Sequence, residues 1–186
     1  MTADQPATDL GPLSDEELWG AFVGGDDAAL AALVERYNAE LFWYLLLSTG
    51  RQHPAAQHLF RTWDLVARWR RPYTGFDSFR GWLYAVATQT AVPAGHPEGL
   101  GLTELMDDIA RGRPVGRSAE VVFRIADMRR HVRQPFLLVT VAGLSVTEAA
   151  KACNFTEPNT VRRVEAAYRR LAGARLFNPP RAPDEV

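Results

Sequence analysis

The residues of this chain that could carry catalytic chemistry are few and scattered. Its four histidines, His53, His58, His96 and His131, show no metal-ligand spacing and no paired carboxylate, and they read as solvent or core residues. No glycine-rich phosphate loop, Ser-His-Asp set or pair of carboxylates placed for acid–base work stands out. The one cysteine, Cys153, excludes an internal disulfide and a cysteine-based zinc site. A redox sensor would want an exposed thiol beside positive charge and a second cysteine. The expectation is therefore no catalytic residue, no metal and no cofactor: this chain is not an enzyme.

The remaining chemistry is recognition. Among 21 basic residues only Lys151 is lysine. Guanidinium groups suit planar, bidentate recognition, although a GC-rich genome produces the same bias and carries most of the weight. The net charge is −1, but its distribution is uneven. Residues 1–92 hold 7 Arg against 11 Asp and Glu, and residues 120–176 hold 10 Lys and Arg against 5 Asp and Glu. An acidic front half joined to a basic back half fits two modules with different partners.

The most informative stretch runs from Gly143 to Arg163. Ser145 with Glu148 forms a capping box that opens one short helix. Ala149, Ala150 and Cys153 are small, as a close helix crossing requires. Asn154 tolerates the left-handed turn, and Thr156 caps a second helix running to about Leu171, with Val161, Val164 and Leu171 inward. Two short helices, a tight turn and basic residues early in the second predict a helix-turn-helix. Its candidate DNA-binding residues are Asn159, Thr160, Arg162, Arg163, Arg169 and Arg170. Arg129, Arg130 and Arg133 read equally as a solvated face or as a phosphate-touching patch.

Those residues need a scaffold, and the pattern predicts an all-α one of two small helical modules. A chain of 186 residues, 47% hydrophobic and 23% charged, can build a real core. Ser14 with Glu17 caps a helix over Asp15–Val23 that closes at Gly24-Gly25. Asp26 or Asp27 starts the next, with Leu30, Leu33, Val34, Tyr37, Leu41, Tyr44 and Leu45 at helical spacing before Gly50. Ala55–Arg70 and Phe76–Ala91 follow, the latter with Phe79, Trp82, Leu83 and Val86 on one face. Residues 93–117, rich in Gly and Pro, read as a flexible linker with one short helix over Leu102–Ala110. A helix capped by Ser118 comes next, and then a short apolar helix over Pro135–Ala142. Residues 1–13 and 178–186 read as disordered tails, 14–92 as the front domain and 118–177 as the helix-turn-helix domain. Trp19, Trp43, Trp63, Trp69 and Trp82 read as core rather than base-stacking residues. No apolar run approaches the roughly 18 residues of a membrane span, and the acidic N-terminus does not look like a signal peptide. The expectation is a cytoplasmic protein with no membrane contact.

Three segments carry a resemblance. "SDEELWGAFVGGDDAALAALVERYNAELFWYL" is similar to the opening helices of the extracytoplasmic-function class of bacterial RNA polymerase sigma factors. "GFDSFRGWLYAVATQTA" is similar to that family's Phe-x-x-Trp-Leu-Tyr segment, and "GLSVTEAAKACNFTEPNTVRRVEAAYRRL" to its promoter-reading helix-turn-helix. The resemblance covers roughly residues 14–176 without the linker. It implies a front module that docks on the polymerase clamp and captures melted promoter DNA, and a back module that reads promoter DNA in the major groove. It also implies an anti-sigma factor or another protein partner that holds both away from polymerase.

The chain departs from the family in two places. Where the clamp-binding helix usually carries Asp and Glu, this chain has Ala55-Ala56-Gln57-His58-Leu59, with Arg61 and Thr62 following. An interfacial charge left without its partner costs about 2–5 kcal/mol, so core polymerase should be bound weakly, or through Leu59, Phe60 and Trp63. After Trp82-Leu83-Tyr84 no basic residue comes until Arg111, and phosphate neutralisation needs Lys or Arg. In the second helix of the motif, Val164 and Glu165 fall where a basic and an apolar residue are common. The leading reading is a sigma-like transcription initiator. The alternatives are a sigma-like protein kept as a protein-binding decoy, an anti-anti-sigma, and a plain helix-turn-helix regulator.

Overall fold

The computed structural model describes residues 13–50, 52–91 and 117–172. Within them the chain is all helical: α1 (Asp15–Val23), α2 (Asp27–Thr49), α3 (Gln52–Trp69), α4 (Phe79–Thr90), α5 (Arg117–Ala126), α6 (Arg130–Thr140), α7 (Val146–Cys153) and α8 (Glu157–Ala172). Of the expected linker over 93–117, residues 93–116 with the short helix lie outside the described residues, as do both expected tails apart from Leu13.

Local chemistry sets most helix ends. The Ser14–Glu17 capping box is formed in both directions, and the Asp26 carboxylate accepts from the Ala28 N–H at 2.9 Å. Gly50 ends α2 with φ +72°, in the left-handed region that a Cβ disfavours. Ser78 starts α4, its hydroxyl accepting from Gly81 N–H at 3.0 Å. A second orphan donor at that end, Phe79 N–H, reaches Glu16 on α1 at 3.2 Å.

The helices bury a continuous core. Leu18, Trp19 and Phe22 of α1 meet Leu33, Tyr37, Leu41 and Tyr44 of α2 and Phe79, Trp82 and Leu83 of α4. Each fully buried Leu or Phe contributes about 1.5–3 kcal/mol. Trp19 packs on Phe79 and Trp82 at 5.3 Å and 5.0 Å between ring centroids. Two pairs of polar groups meet across helices inside the core: the Tyr44 hydroxyl meets Thr88 at 2.6 Å, and Thr62 meets Thr90 at 2.9 Å. The C-terminal helices share this core, since α5 and α6 pack on α2 and α7 packs along α4.

Several expectations are corrected. Trp43, read as core, is 53% exposed, and Val161, read as inward, is 41% exposed. His58, which the sequence left open between solvent and core, is buried, while Ala56 and Gln57 beside it are exposed. Burial and the nearby Arg61 charge hold its imidazole pKa below the ordinary value. Pro135 does not open its helix: α6 begins at Arg130 and encloses it.

Candidate nucleic-acid interface

The helix-turn-helix is built from α7, the turn at Asn154 and α8. The Ser145–Glu148 box starts α7, with Glu148 N–H donating to Ser145 Oγ at 3.2 Å and Ser145 N–H donating to Glu148 Oε2 at 3.2 Å. Asn154 ends it at φ 55°, ψ 47°, and the next N–H, that of Phe155, donates to Ala150 O at 2.9 Å. Ala149, Ala150 and Ala152 are buried where α7 crosses its neighbours. Val164, Ala167 and Leu171 hold α8 on α6 and α7.

The six candidate residues of α8 separate into three kinds. Arg162, Arg169 and Arg170 are exposed, and Arg162 and Arg169, seven residues apart, share a face. Asn159 is half-buried, and its carbonyl oxygen accepts from Arg162 at 2.7 Å, which orients that guanidinium at the start of the helix. Thr160 and Arg163 serve the fold. Thr160 is fully buried and its hydroxyl donates to Thr156 O at 3.1 Å, so it cannot reach a base edge. Arg163 lies with its guanidinium 4.0 Å from the Phe155 ring centroid and donates to His131 O at 3.1 Å. The exposed residues also include Glu157 and Glu165, which interrupt the basic face.

Cys153 sits behind this motif. Burial pushes its thiol up to about 12, against the lowering effect of Arg130 and Arg163. Among the described residues no cluster of His, Cys, Asp and Glu could hold a metal ion, and no helix is long and apolar enough to cross a membrane.

Sequence reasoning missed a seam between α4 and α7. Ser78 Oγ, besides capping α4, donates to Glu148 Oε1 at 2.5 Å. Lys151 Nζ pairs with Asp77 at 3.2 Å. Arg80 donates to Ala142 O at 2.7 Å and forms an ion pair with Glu40. Gly81 faces the same carboxylate: a Cβ there would lie 2.7 Å from Glu148 Oε1. Burial alone would raise the Glu148 pKa, but hydrogen bonds from Ser78 and Ser145 outweigh it and hold the pKa below its ordinary value. Nothing local signals these contacts, which join residues 40 to 74 positions apart.

On the candidate polymerase-binding helix, the three expected residues also divide. Leu59 and Trp63 pack partly against the core, and the Trp63 indole N–H donates to Asn38 at 3.2 Å. Phe60 is 74% exposed. The packed core therefore accounts for two of the three, and Phe60 stands outside it.

No protein-family model matches the chain, and no curated protein does. The fold is similar to a solved structure of CnrH in complex with the cytosolic domain of CnrY. The TM-score is 0.65 at 18% sequence identity, over 86% of this chain and 96% of that chain. At that identity the likeness is one of fold.

Proposed function

We propose that this chain is a sigma-like transcription protein that recruits RNA polymerase to promoter DNA through its helix-turn-helix. The observation that carries the reading is α8 itself. It is a capped helix-turn-helix whose second helix presents Arg162, Arg169 and Arg170 to solvent, with Arg162 held by Asn159. Guanidinium groups at the start of such a helix are the chemistry for guanine edges, and those further along suit phosphates. The order of the three family-like segments supports the reading, as does the fold shared with CnrH, an extracytoplasmic-function sigma factor. CnrH was solved with a domain of another protein, which supports a protein partner for this chain as well. The domains of the reading are 14–92 for polymerase and 118–177 for promoter DNA.

A second reading has its own support. The outer face of α3 offers Gln57, Arg61 and Phe60 where the family offers carboxylates, and two of the six candidate DNA residues are committed to the fold. A protein that keeps the fold to bind an anti-sigma factor would need neither. One experiment separates the two. Purified chain is tested for capture of core RNA polymerase, and then for run-off transcription from duplexes selected on the chain out of a random pool. Transcripts that depend on the chain support the first reading. Absence of both polymerase capture and selected duplexes overturns it in favour of the decoy.

A further inference from the structure

We infer that Glu165 is a specificity-determining residue of α8: with Arg162 on a guanine, the Glu165 carboxylate accepts from the amino group of a cytosine on the neighbouring base pair. The inference rests on the DNA-binding reading above and deepens it by naming the base step that the helix selects.

The placement follows from the helix period. Thr160, Val164, Ala167 and Leu171 form the buried stripe of α8. Pro158, Arg162, Glu165 and Arg169 form the stripe on the opposite side, and all four are exposed. In a helix-turn-helix the second helix enters the groove with its early residues at the base edges. Arg162 and Glu165 are three residues apart on that face, separated by about 4.5 Å along the axis. Stacked base pairs rise by about 3.4 Å, so the two side chains address adjacent pairs. Val161, 41% exposed, lies one turn before Glu165 and sets apolar surface beside the carboxylate.

The carboxylate itself is open. Among the described residues Glu165 forms no ion pair, although Arg162 and Arg169 lie three and four residues from it. Arg162 is drawn instead to Asn159, whose carbonyl oxygen accepts from it at 2.7 Å. An ionised carboxylate can only accept hydrogen bonds. In the major groove guanine presents acceptors alone, thymine an acceptor and a methyl group, and adenine an amino donor beside an acceptor. Cytosine presents an amino donor without an acceptor beside it. Phosphate repulsion weakens a carboxylate-bearing helix on every duplex, and the cytosine contact offsets that repulsion on one. Glu165 therefore acts on discrimination more than on affinity.

The test uses the full chain and duplexes with a random core, selected separately on wild type, Arg162→Ala, Glu165→Gln and Glu157→Gln. Glu165 is exposed, so its replacement should leave the fold intact. Wild type should select a cytosine beside the guanine that Arg162→Ala relaxes. Glu165→Gln should lose that cytosine and prefer adenine, whose N6 and N7 suit an amide. On the wild-type duplex this variant should bind about tenfold or more weakly, and on random duplex no more weakly than wild type. Glu157→Gln makes the same charge change on α8 off the exposed stripe and should leave every base preference unchanged. Preferences in Glu165→Gln that match wild type at every pair overturn the inference and leave DNA binding standing. So does a change at a pair away from the one that Arg162 reads. If wild type enriches no duplex, the DNA-binding reading falls and the inference falls with it.

Discussion

Arg163 donates to the carbonyl of His131, the group that Pro135 leaves without a helical partner. A proline inside a helix has no N–H to give the residue four before it. The vacancy on α6 is filled from α8, and the guanidinium is steadied on Phe155.

Arg163→Ala should therefore act on stability and Arg162→Ala on DNA. Losing the charged donor to the exposed His131 carbonyl, with the stacking on Phe155, costs about 1 kcal/mol, whereas truncating the exposed Arg162 should change stability by less than about 0.5 kcal/mol. On a selected duplex the Arg162 variant should lose about 1–3 kcal/mol of affinity if that residue reads a guanine. Urea titrations that rank the two variants equally would remove the distinction.

Helix α7 should have an acid-sensitive start. The folded-state pKa of Glu148 lies below its ordinary value of 4.5, so the carboxylate contributes stability that is fully present above pH 4.5. That contribution is lost as pH falls through the lower folded value. Glu148→Gln should melt below wild type at neutral pH and converge on it in acid. Taking the difference between the two chains cancels the titration of His58, which is lowered in both. A constant difference down to strongly acidic pH would contradict the assignment.

Cys153 should be a poor nucleophile. With its pKa pushed up to about 12, the thiolate fraction at neutral pH lies at least about a hundredfold below that of an ordinary cysteine. Reaction with a disulfide reagent should be correspondingly slow in the folded chain and become ordinary in denaturant. Rapid modification of the native protein would show the thiol to be accessible and activated.

Phe60 should be dispensable for folding. Its ring buries little, so Phe60→Ala should leave the urea midpoint within about 0.5 kcal/mol of wild type. Under the sigma-like reading the same change should weaken capture of core polymerase, and Trp63→Ala should lower stability as well. Undiminished capture by the Phe60 variant would leave α3 without a role as an apolar docking face.

The parts of the fold that could be read from the chain are those set within a turn of sequence. Ser14, Asp26, Ser145 and Asn154 act on neighbours two to four residues away, and their roles are visible in residue type alone. Pro135 misled because proline is welcome at a helix start, and only a side chain 28 positions further on explains how an interior one is accommodated. Trp43 misled because residues 41–47 of α2 are apolar on every side, so periodicity could not say which residue faces out. The six candidate DNA-binding residues all lie on the one helix that the pattern predicts, but the commitment of Thr160 and Arg163 to packing depends on α6 and the turn. The α4–α7 seam joins residues so distant in sequence that no pattern announces it.

The lone lysine of the chain stands at that seam. An amine-selective acylating reagent has one side-chain target in this protein, and its reach to Lys151 depends on the Asp77 pairing and on how closely α4 lies against α7. The extent of acylation at that residue, read by mass spectrometry after digestion, is thus a built-in reporter of how closely α4 lies against α7. It works on the natural sequence, in mixtures with polymerase or DNA, without a probe having to be introduced.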